Sequence, residues 1–479
     1  MPAPEDNVTI SGVSVTVTDA RQINGSFTLT DGARLTVSGS GASFVAAGAT
    51  AISDGRLQVV SGGMADLSGA TEYHWSGCGD ASLILVDGED SVLDLSGVAT
   101  IVAGGGDCEG GALTIVAGSG GYLNLGALAS ISAPGPQALS IELVLDGAIS
   151  VPNLESIEGL DADHEVNIAV VVDADSSLDL PSLTALSHTS ITVVGGLVLA
   201  NALVSADSCI LAPAGIQSLS MLALESMTRS MLTAPTTGRW TLPSLTHLRD
   251  THVVLAPDST LNLPELTTVE GMTGPASVSV TGEASLSAPK FTTARNVNFV
   301  AAAGAELDLT ALRSYTWDRC EAGAPFTATG AGTLLDASGL DTISITNSGC
   351  PGLAHPTSAT GGARVDLSAL ATVETPLGQV KSFLAANANS VIDLSALVNF
   401  NPLTVTFSES DGGEIIRAGG GEGEGEGEGE GEGEGPPAGC PAPNFGARSS
   451  AAAVAGDSLL LMGVLAALGL ARRRPRAGK

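Results

Sequence analysis

The sequence predicts an all-β protein: a single-chain parallel β-solenoid, then a disordered linker and one C-terminal transmembrane helix. A nine-residue apolar pattern recurs along most of the 479 residues. The composition is typical of short strands and tight turns, with 61 glycines and only 3% aromatic residues. Beyond the repeats lie a Gly/Glu-rich stretch and an apolar stretch that ends in arginines. These observations divide the chain into residues 1–416, 417–450 and 451–479.

The repeated pattern reads apolar-x-apolar-[Pro/Ser/Thr]-x-Leu-x-x-apolar. Side chains alternate along a strand, so positions one and three point to one side. A proline at position four ends the strand because it cannot donate to a ladder. Positions six and nine then return to the core, and rungs of about 21 to 30 residues must stack to bury them. The clearest copies begin at Leu178, Trp240, Leu261, Leu307, Val365 and Ile392.

Two other folds fit the pattern less well. A helical repeat needs apolar residues at i, i+3, i+4 and i+7, which the frequent Gly and β-branched residues oppose. A β-sandwich does not keep one nonapeptide in a fixed register so many times. The rung L-x-L-P-x-L-x-x-[ILV], over about residues 60–405, resembles receptor L-domains and related leucine-rich-like β-helices of cell-surface proteins. The resemblance implies the fold and a surface location, and its motif contains no catalytic residue.

A longer repeat lies above the rungs. The segment from about residue 65 to 131 matches the segment 307–373 without a gap, so that "YHWSGC" at 73–78 aligns with "YTWDRC" at 315–320. This register predicts an internal duplication. The aromatic residues beside the cysteines suggest a ligand contact, since Trp75 and Trp317 could stack on sugar rings or lie in the core.

The cysteines recur with the duplication. Cys78 and Cys108 are 30 residues apart, as are Cys320 and Cys350, which is about one rung. Residues one rung apart are stacked neighbours in a solenoid, and their Cα atoms lie within the distance range that a disulfide requires. We therefore predict two disulfides, formed in an oxidising compartment, with buried free thiols as the alternative.

Position two of the rung faces outward, and four successive rungs have aspartate there. Stacked carboxylates ~5 Å apart repel each other by about 1 kcal/mol per pair even in water. A calcium ion between rungs would relieve the repulsion, because calcium prefers oxygen ligands. The alternative is a solvated edge where Asp favours the corners. These candidate calcium ligands are Asp308, Asp336, Asp366 and Asp393.

Charge and motifs exclude several functions. With 19 Lys and Arg against 51 Asp and Glu, the net charge is −32, and nucleic acid is not expected as a partner.

No G-x-S-x-G, H-E-x-x-H or P-loop motif occurs. Arg313 and Arg319, near Asp318 and Glu321, are typical of a surface ion-pair group. We expect a non-enzymatic protein. The alternative is a β-helix lyase or glycoside hydrolase that acts on acidic polysaccharide, with acidic and basic side chains from three adjacent rungs in one groove.

The C-terminal end predicts a membrane anchor. The Gly/Glu thread at 421–435 has no apolar side chain to bury, so it predicts a flexible linker. Residues 451–471 are long enough to cross one bilayer despite Asp457. Arg472, Arg473 and Arg474 follow, which predicts a cytoplasmic C-terminus.

A short motif, one hydrophobic helix and a basic cluster together resemble the tripartite C-terminal sorting signals of bacterial surface proteins, the PEP-CTERM and Cys-containing MYXO-CTERM-like types. The chain has no Pro-Glu-Pro, and the Gly-Cys at 439–440 fits the Cys-containing type. The resemblance implies export, cleavage by an envelope sorting protease, and Cys440 as the processing or lipid-attachment position. The start "MPAPEDNVTI" has no signal-peptide pattern, so we predict that the true signal peptide is missing. The expected function is a structural or adhesive protein of the bacterial cell surface, with glycans or other surface proteins as candidate ligands.

Overall fold

A computed structural model describes residues 5–76, 82–104, 113–133, 139–144, 146–159, 168–173, 176–213, 218–235, 238–347 and 352–418. These residues belong to one compact unit, Met1–Gly421. They form 51 β-strands and no helix, so the all-β prediction is confirmed. The linker and the apolar segment after residue 418 lie outside the described residues.

The strands wind into a parallel β-solenoid with three strands in each rung. Strands pair in parallel with the equivalent strands of the next rung, except for one break on the third face between Leu219–Ser220 and Gly238–Thr241, and this pairing gives three faces. Face 1 consists of Val8–Ser11, Phe27–Thr30, Thr50–Ser53, Ala70–Trp75, Thr100–Ala103, Ser130–Ala133, Ser156–Gly159, Ala185–Ser187, Ser205–Asp207, Ser226–Thr228, His247–Arg249, Thr268–Glu270, Thr293–Arg295, Ser314–Trp317, Thr342–Ile345, Thr372–Glu374 and Asn399–Phe400.

The other two faces follow in the same order along the chain. Face 2 consists of Ser14–Val17, Arg34–Ser38, Arg56–Val60, Ser82–Asp87, Leu113–Gly118, Leu139–Val144, Ile168–Val172, Thr189–Val193, Ile210–Pro213, Met231–Thr233, His252–Leu255, Ala276–Thr281, Val297–Ala302, Phe326–Thr329, Ala354–Thr360, Val380–Ala386 and Val405–Ser410. Face 3 consists of two sheets: first Ala20–Ile23, Ser43–Ala46, Met64–Asp66, Val92–Asp94, Tyr122–Asn124, Ala148–Ser150, Ser177–Asp179, Leu197–Leu199 and Leu219–Ser220; then Gly238–Thr241, Ser259–Asn262, Ser285–Ser287, Glu306–Asp308, Leu334–Asp336, Arg364–Asp366, Val391–Leu394 and Glu414–Arg417.

The nine-residue pattern accounts for the passage from face 3 to face 1. In the copy that begins at Leu178, the first, third, sixth and ninth residues are all buried. Pro181, at position four, lies in the turn that follows Ser177–Asp179, as its missing N–H requires. Each fully buried leucine contributes about 1.5–3 kcal/mol, and each rung supplies several.

The corner between faces 1 and 2, which we call the first corner, varies most in length. In short rungs the chain turns there through a residue with a left-handed backbone, such as His188 and Arg229, both with φ of 49°. In a long rung, residues 318–325 separate Ser314–Trp317 from Phe326–Thr329. The longer rungs therefore have their extra residues at this corner.

The two segments of the predicted duplication carry their strands in the same register. Thr100–Ala103 corresponds to Thr342–Ile345 at an offset of 242 residues. Tyr73 donates its hydroxyl to the carbonyl oxygen of Gly55 at 2.6 Å, and Tyr315 donates to that of Val297 at 2.9 Å. The donor and acceptor lie 18 residues apart in both hydrogen bonds, so the two segments share side-chain contacts as well as strands.

Candidate functional site

The four aspartates predicted as calcium ligands form one column on face 3. Asp308 pairs with Asp336, Asp336 with Asp366, and Asp366 with Asp393 in adjacent strands. Their outward position follows from the alternation of side chains, since Leu307 and Leu335 beside them are buried.

Each carboxylate of this column caps the turn that follows it. Asp308 Oδ1 accepts the backbone N–H of Thr310 at 3.0 Å and its hydroxyl at 2.7 Å. The other three aspartates accept the N–H two residues ahead at 3.0–3.1 Å. This arrangement is an Asx-turn, and it gives the aspartates a structural role at the corner between faces 3 and 1.

An arginine neutralises the C-terminal end of the column. Arg364 donates to Asp366 at 3.0 Å and to Asp393 at 2.9 Å. Partial burial alone raises the pKa of Asp366, but hydrogen bonds from Ser368 and Arg364 outweigh it and lower the pKa. Within the described ranges, no group of three or more His, Cys, Asp or Glu side chains is placed to hold a metal ion. The calcium site stays a prediction.

The two tryptophans proposed as ligand contacts lie in the core. The exposed fraction is 2% for Trp75 and 0% for Trp317. Trp317 donates its indole N–H to the carbonyl oxygen of Glu321 at 3.1 Å and lies 5.5 Å from the ring of His355. Because Trp317 lies two residues after the buried Tyr315 on one strand, both side chains point inward. Stacking of a sugar on these indoles is therefore not supported.

The structure describes only one of the four cysteines that we expect in disulfides, so the two pairings stay a prediction. Cys320 is disulfide-bonded, whereas its predicted partner Cys350, and the pair Cys78 and Cys108, lie outside the described residues. Cys209 is a free, fully buried thiol, and burial raises its pKa to about 12. A thiol with that pKa is not a nucleophile at neutral pH.

Acidic and basic side chains from neighbouring rungs meet at the first corner. Arg295 donates from Nε to Asp318 at 2.9 Å, and Asn296 donates to the other oxygen of that carboxylate at 2.7 Å. Arg319 binds Glu321 at 2.8 Å and the carbonyl oxygen of Met272 at 2.7 Å. These contacts fasten one loop to the rungs below it.

The electrostatics of this cluster are those of an ion pair. Partial burial raises the pKa of Asp318, but the hydrogen bonds from Arg295 and Asn296 outweigh it, and the net pKa is lowered. A general acid needs a raised pKa, so Asp318 does not suit that role. The expectation that Arg313 joins this group is wrong: Arg313 donates to the carbonyl oxygens of Thr310 and Gly339, both at 2.8 Å.

A buried polar cluster, which sequence reasoning missed, lies inside face 2 near its C-terminal end. Lys381 is fully buried, and its Nζ donates to the carbonyl oxygen of His355 at 2.8 Å and to Thr357 Oγ1 at 2.6 Å. The ring of Phe383 lies 4.8 Å from the same nitrogen. His355 is also fully buried, and neither of its ring nitrogens has a hydrogen-bond partner. Buried polar groups of this kind are uncommon in apolar cores.

Burial sets the protonation of both groups. Complete desolvation lowers the pKa of Lys381 well below its usual range. Desolvation, and then the nearby Lys381, lower the pKa of His355 to about 4. The sequence held one signal of this cluster: the offset of 242 continues beyond the two segments into the next face 2 strand, where Lys381 corresponds to Leu139.

An open groove lies on the outside of face 1, at its C-terminal rungs. It has a volume of about 560 Å³ and is lined by Ser344, Glu374, Asn399 and Phe400, among others. Ser344 donates its hydroxyl to Glu374 at 2.8 Å. The groove is open, and Phe400 is partly exposed beside it.

Comparisons with protein-family models, with curated proteins and with solved structures find no match for this chain. The likeness to receptor L-domains and to sorting signals therefore stays a prediction. Cys440, Arg472, Arg473 and Arg474 lie outside the described residues. No helix in the part of the chain that the structure describes is long and apolar enough to cross a membrane.

Proposed function

We propose that the chain is a non-enzymatic structural or adhesive protein of a bacterial cell surface, exported and held at the envelope by its C-terminal segment. The solenoid is the functional part of the protein, and its outer faces are the surfaces that contact other molecules. The membrane and an envelope sorting protease are the partners of the tail, and glycans or surface proteins are those of the rod.

The observation that carries this proposal is the continuity of the solenoid. Face 1 and face 2 each contain 17 strands, and successive strands pair from Val8–Ser11 to Val405–Ser410. At a strand spacing of about 4.8 Å, such a solenoid is on the order of 75 Å long. A filled core of stacked apolar residues makes a rod of this kind rigid, and rigidity suits a spacer or a display scaffold.

The order of segments supports attachment to an envelope. The charged Gly/Glu thread follows the solenoid directly and is the type of sequence that stays extended, since its glutamates repel one another. An apolar stretch and then the arginines at 472–474 follow it. A folded body, a spacer and an anchor in this order suit a protein displayed away from a membrane.

The test is to locate the protein and its mature C-terminus in the native cells. Protease added to intact cells should release peptides from residues 5–418, and mass spectrometry should find a C-terminal peptide that ends at or before Cys440. Recovery of the protein in the cytoplasmic fraction, with residues 472–479 still attached, would contradict the proposal.

A second candidate function is that of an enzyme acting on acidic polysaccharide. The observation that favours it is the meeting of Arg295, Asp318, Arg319 and Glu321 at one corner. The test is to incubate the full chain with uronate polysaccharides and to follow unsaturated products and reducing ends. Turnover that disappears in Asp318→Asn but persists in Asp308→Asn would favour the enzyme over the structural protein.

A further inference from the structure

Ten successive strands of face 2, from Ile168–Val172 to Val380–Ala386, have no outward-facing Asp, Glu, Arg or Lys among their described residues. Lys381 is the single residue of these four types in the ten strands, and the strand that follows them, Val405–Ser410, contains the exposed Glu409. Lys381 points into the core, where it is fully buried. On a chain with a net charge of −32, so long an uncharged surface is not expected from composition alone.

The other two faces of the same rungs are charged. Face 1 presents Asp207 paired with Arg229, and Arg295 paired with Asp318. Face 3 presents the column of aspartates that begins at Asp308. The absence of charge is therefore a property of face 2 and not of these rungs in general.

Most outward side chains of this uncharged face are small or β-branched and partly exposed, and the larger ones include Met231, His252 and Leu384. One column runs through Thr233, Val254, Ser279 and Val300 in register. Hydroxyl groups link adjacent rungs elsewhere on the face, as between Thr360 and Thr329 at 3.3 Å. Short side chains on a regular sheet make a surface that another sheet can approach to the ~10 Å separation of packed sheets.

We propose that this face binds a second copy of the same chain, face to face. Two molecules that each carry a large negative charge repel one another in most orientations. Repulsion at contact is smallest where neither surface is charged, and only face 2 offers such a surface over ten strands. Apolar and hydroxyl side chains can be buried there without leaving a charged group buried and unpaired.

The size of the face is adequate for a stable dimer. Ten strands at about 4.8 Å span ~48 Å, and four to five residues per strand span ~15 Å. The patch therefore covers roughly 700 Å² per copy, close to the ~800 Å² that each partner of a standard interface buries. A two-fold axis through the face would close the assembly as a dimer.

The test compares charges placed on two faces of the full chain. Analytical ultracentrifugation should find a dimer in the wild type, and the dimer should tighten as salt rises, because salt screens the overall repulsion. Val300→Glu on face 2 should raise the dimer Kd about 100-fold, since each copy would bury an unpaired charge. Thr342→Glu, at an outward position of face 1, is the matched control and should leave the Kd unchanged.

A second variant separates the interface from bulk charge. Val300→Lys lowers the net negative charge, so it should strengthen any association that bulk repulsion limits, yet on a buried face it should weaken the dimer as Val300→Glu does. Circular dichroism should show that all three variants fold. A monomeric wild type at both low and high salt would overturn the proposal, as would a dimer that survives both changes at Val300.

Discussion

The two segments of the predicted duplication, each extended by one face 2 strand to residues 144 and 386, have the same strands but different cores. In the first, the inward positions on two adjacent face 2 strands are apolar and fully or almost fully buried. In the second, the same positions hold the buried polar cluster, in the same strand register. The four positions are Leu113, Ile115, Leu139 and Ile141 in the first segment, and His355, Thr357, Lys381 and Phe383 in the second.

This difference shows that the fold does not require the polar cluster. The solenoid forms the same rungs around Leu139, so the backbone fold does not depend on Lys381. A buried amine costs stability unless acceptors satisfy it, and here Thr357 and the carbonyl oxygen of His355 do so. Thr357 therefore offsets part of the cost of burying Lys381. Introducing the equivalent residues into the first segment separates their contributions to stability.

The largest loss of stability is expected when a lysine alone is introduced into the first segment. Leu139→Lys places an amine in the apolar core of the first segment without a side-chain acceptor, and it should lower the free energy of unfolding by about 4 kcal/mol. Adding Ile115→Thr, the equivalent of Thr357, should recover about 1 kcal/mol. Denaturant unfolding followed by circular dichroism measures both changes.

Leu139→Met is the control, because it keeps the volume and adds no charge. A loss equal to that of Leu139→Lys would show that packing rather than charge decides the result.

Acid should destabilise the second segment and not the first. Burial holds the pKa of His355 at about 4, whereas the unfolded chain has a value near 6.5. Between these values the unfolded chain binds a proton that the folded chain does not, so stability falls as the pH falls from about 6.5 to about 4, by about 3 kcal/mol. The lowered pKa of Lys381 acts in the same direction at alkaline pH, where stability falls as the pH drops below about 10.5.

Hydrogen exchange of peptides from 352–386 and 113–144 at several pH values measures this difference. His355→Leu should remove the loss between pH 6.5 and 4. Equal acid sensitivity of the two segments would contradict the assignment to His355.

Restoring the apolar pair in the second segment should stabilise it. The double variant His355→Leu and Lys381→Leu copies Leu113 and Leu139, and we expect a gain of about 2 kcal/mol, because burying an ionisable or polar group costs free energy that apolar residues of similar volume do not. The thermal midpoint of the double variant, compared with that of Leu384→Ala on the outside of the same strand, measures the gain. A lower midpoint would show that the polar cluster is a net source of stability.

The smallest effects test the likeness of the two segments. Tyr73→Phe and Tyr315→Phe each remove one buried hydrogen bond to a carbonyl oxygen and should cost about 1 kcal/mol each. Unequal losses, measured by denaturant unfolding, would show that the shared contact has different surroundings in the two segments.

Much of the fold could be predicted from the sequence because its pattern is local. Within nine residues, the alternation at Leu178 and Leu180 and the proline at 181 fix a strand, its inward face and its end. The Asx-turns of the aspartate column follow from the same reasoning, since Asp308 lies two residues before the N–H it accepts. The alternative to a calcium site, a solvated edge where Asp favours the corners, depends only on this local pattern and not on contacts with other rungs.

The candidate sites were harder to predict because they depend on contacts between rungs. Taken alone, the strand "VKSFLAA" at 380–386 does not say which side of it is inward. A lysine is usually placed outward, and only the burial of Lys381 beside its strand partner His355 shows the reverse. The burial of Trp317, in contrast, could have been predicted, because it shares a strand side with Tyr315.

The variable first corner has a consequence for how such a chain can change. One left-handed residue, as at His188, is enough to connect face 1 to face 2, and an eight-residue loop at 318–325 connects the same faces elsewhere. Strand pairing continues across both kinds of rung. Insertions at this corner therefore leave the strand pairing unchanged, and new loops can be added to one edge of the solenoid rung by rung. That edge is where the surface can diversify while the scaffold stays constant.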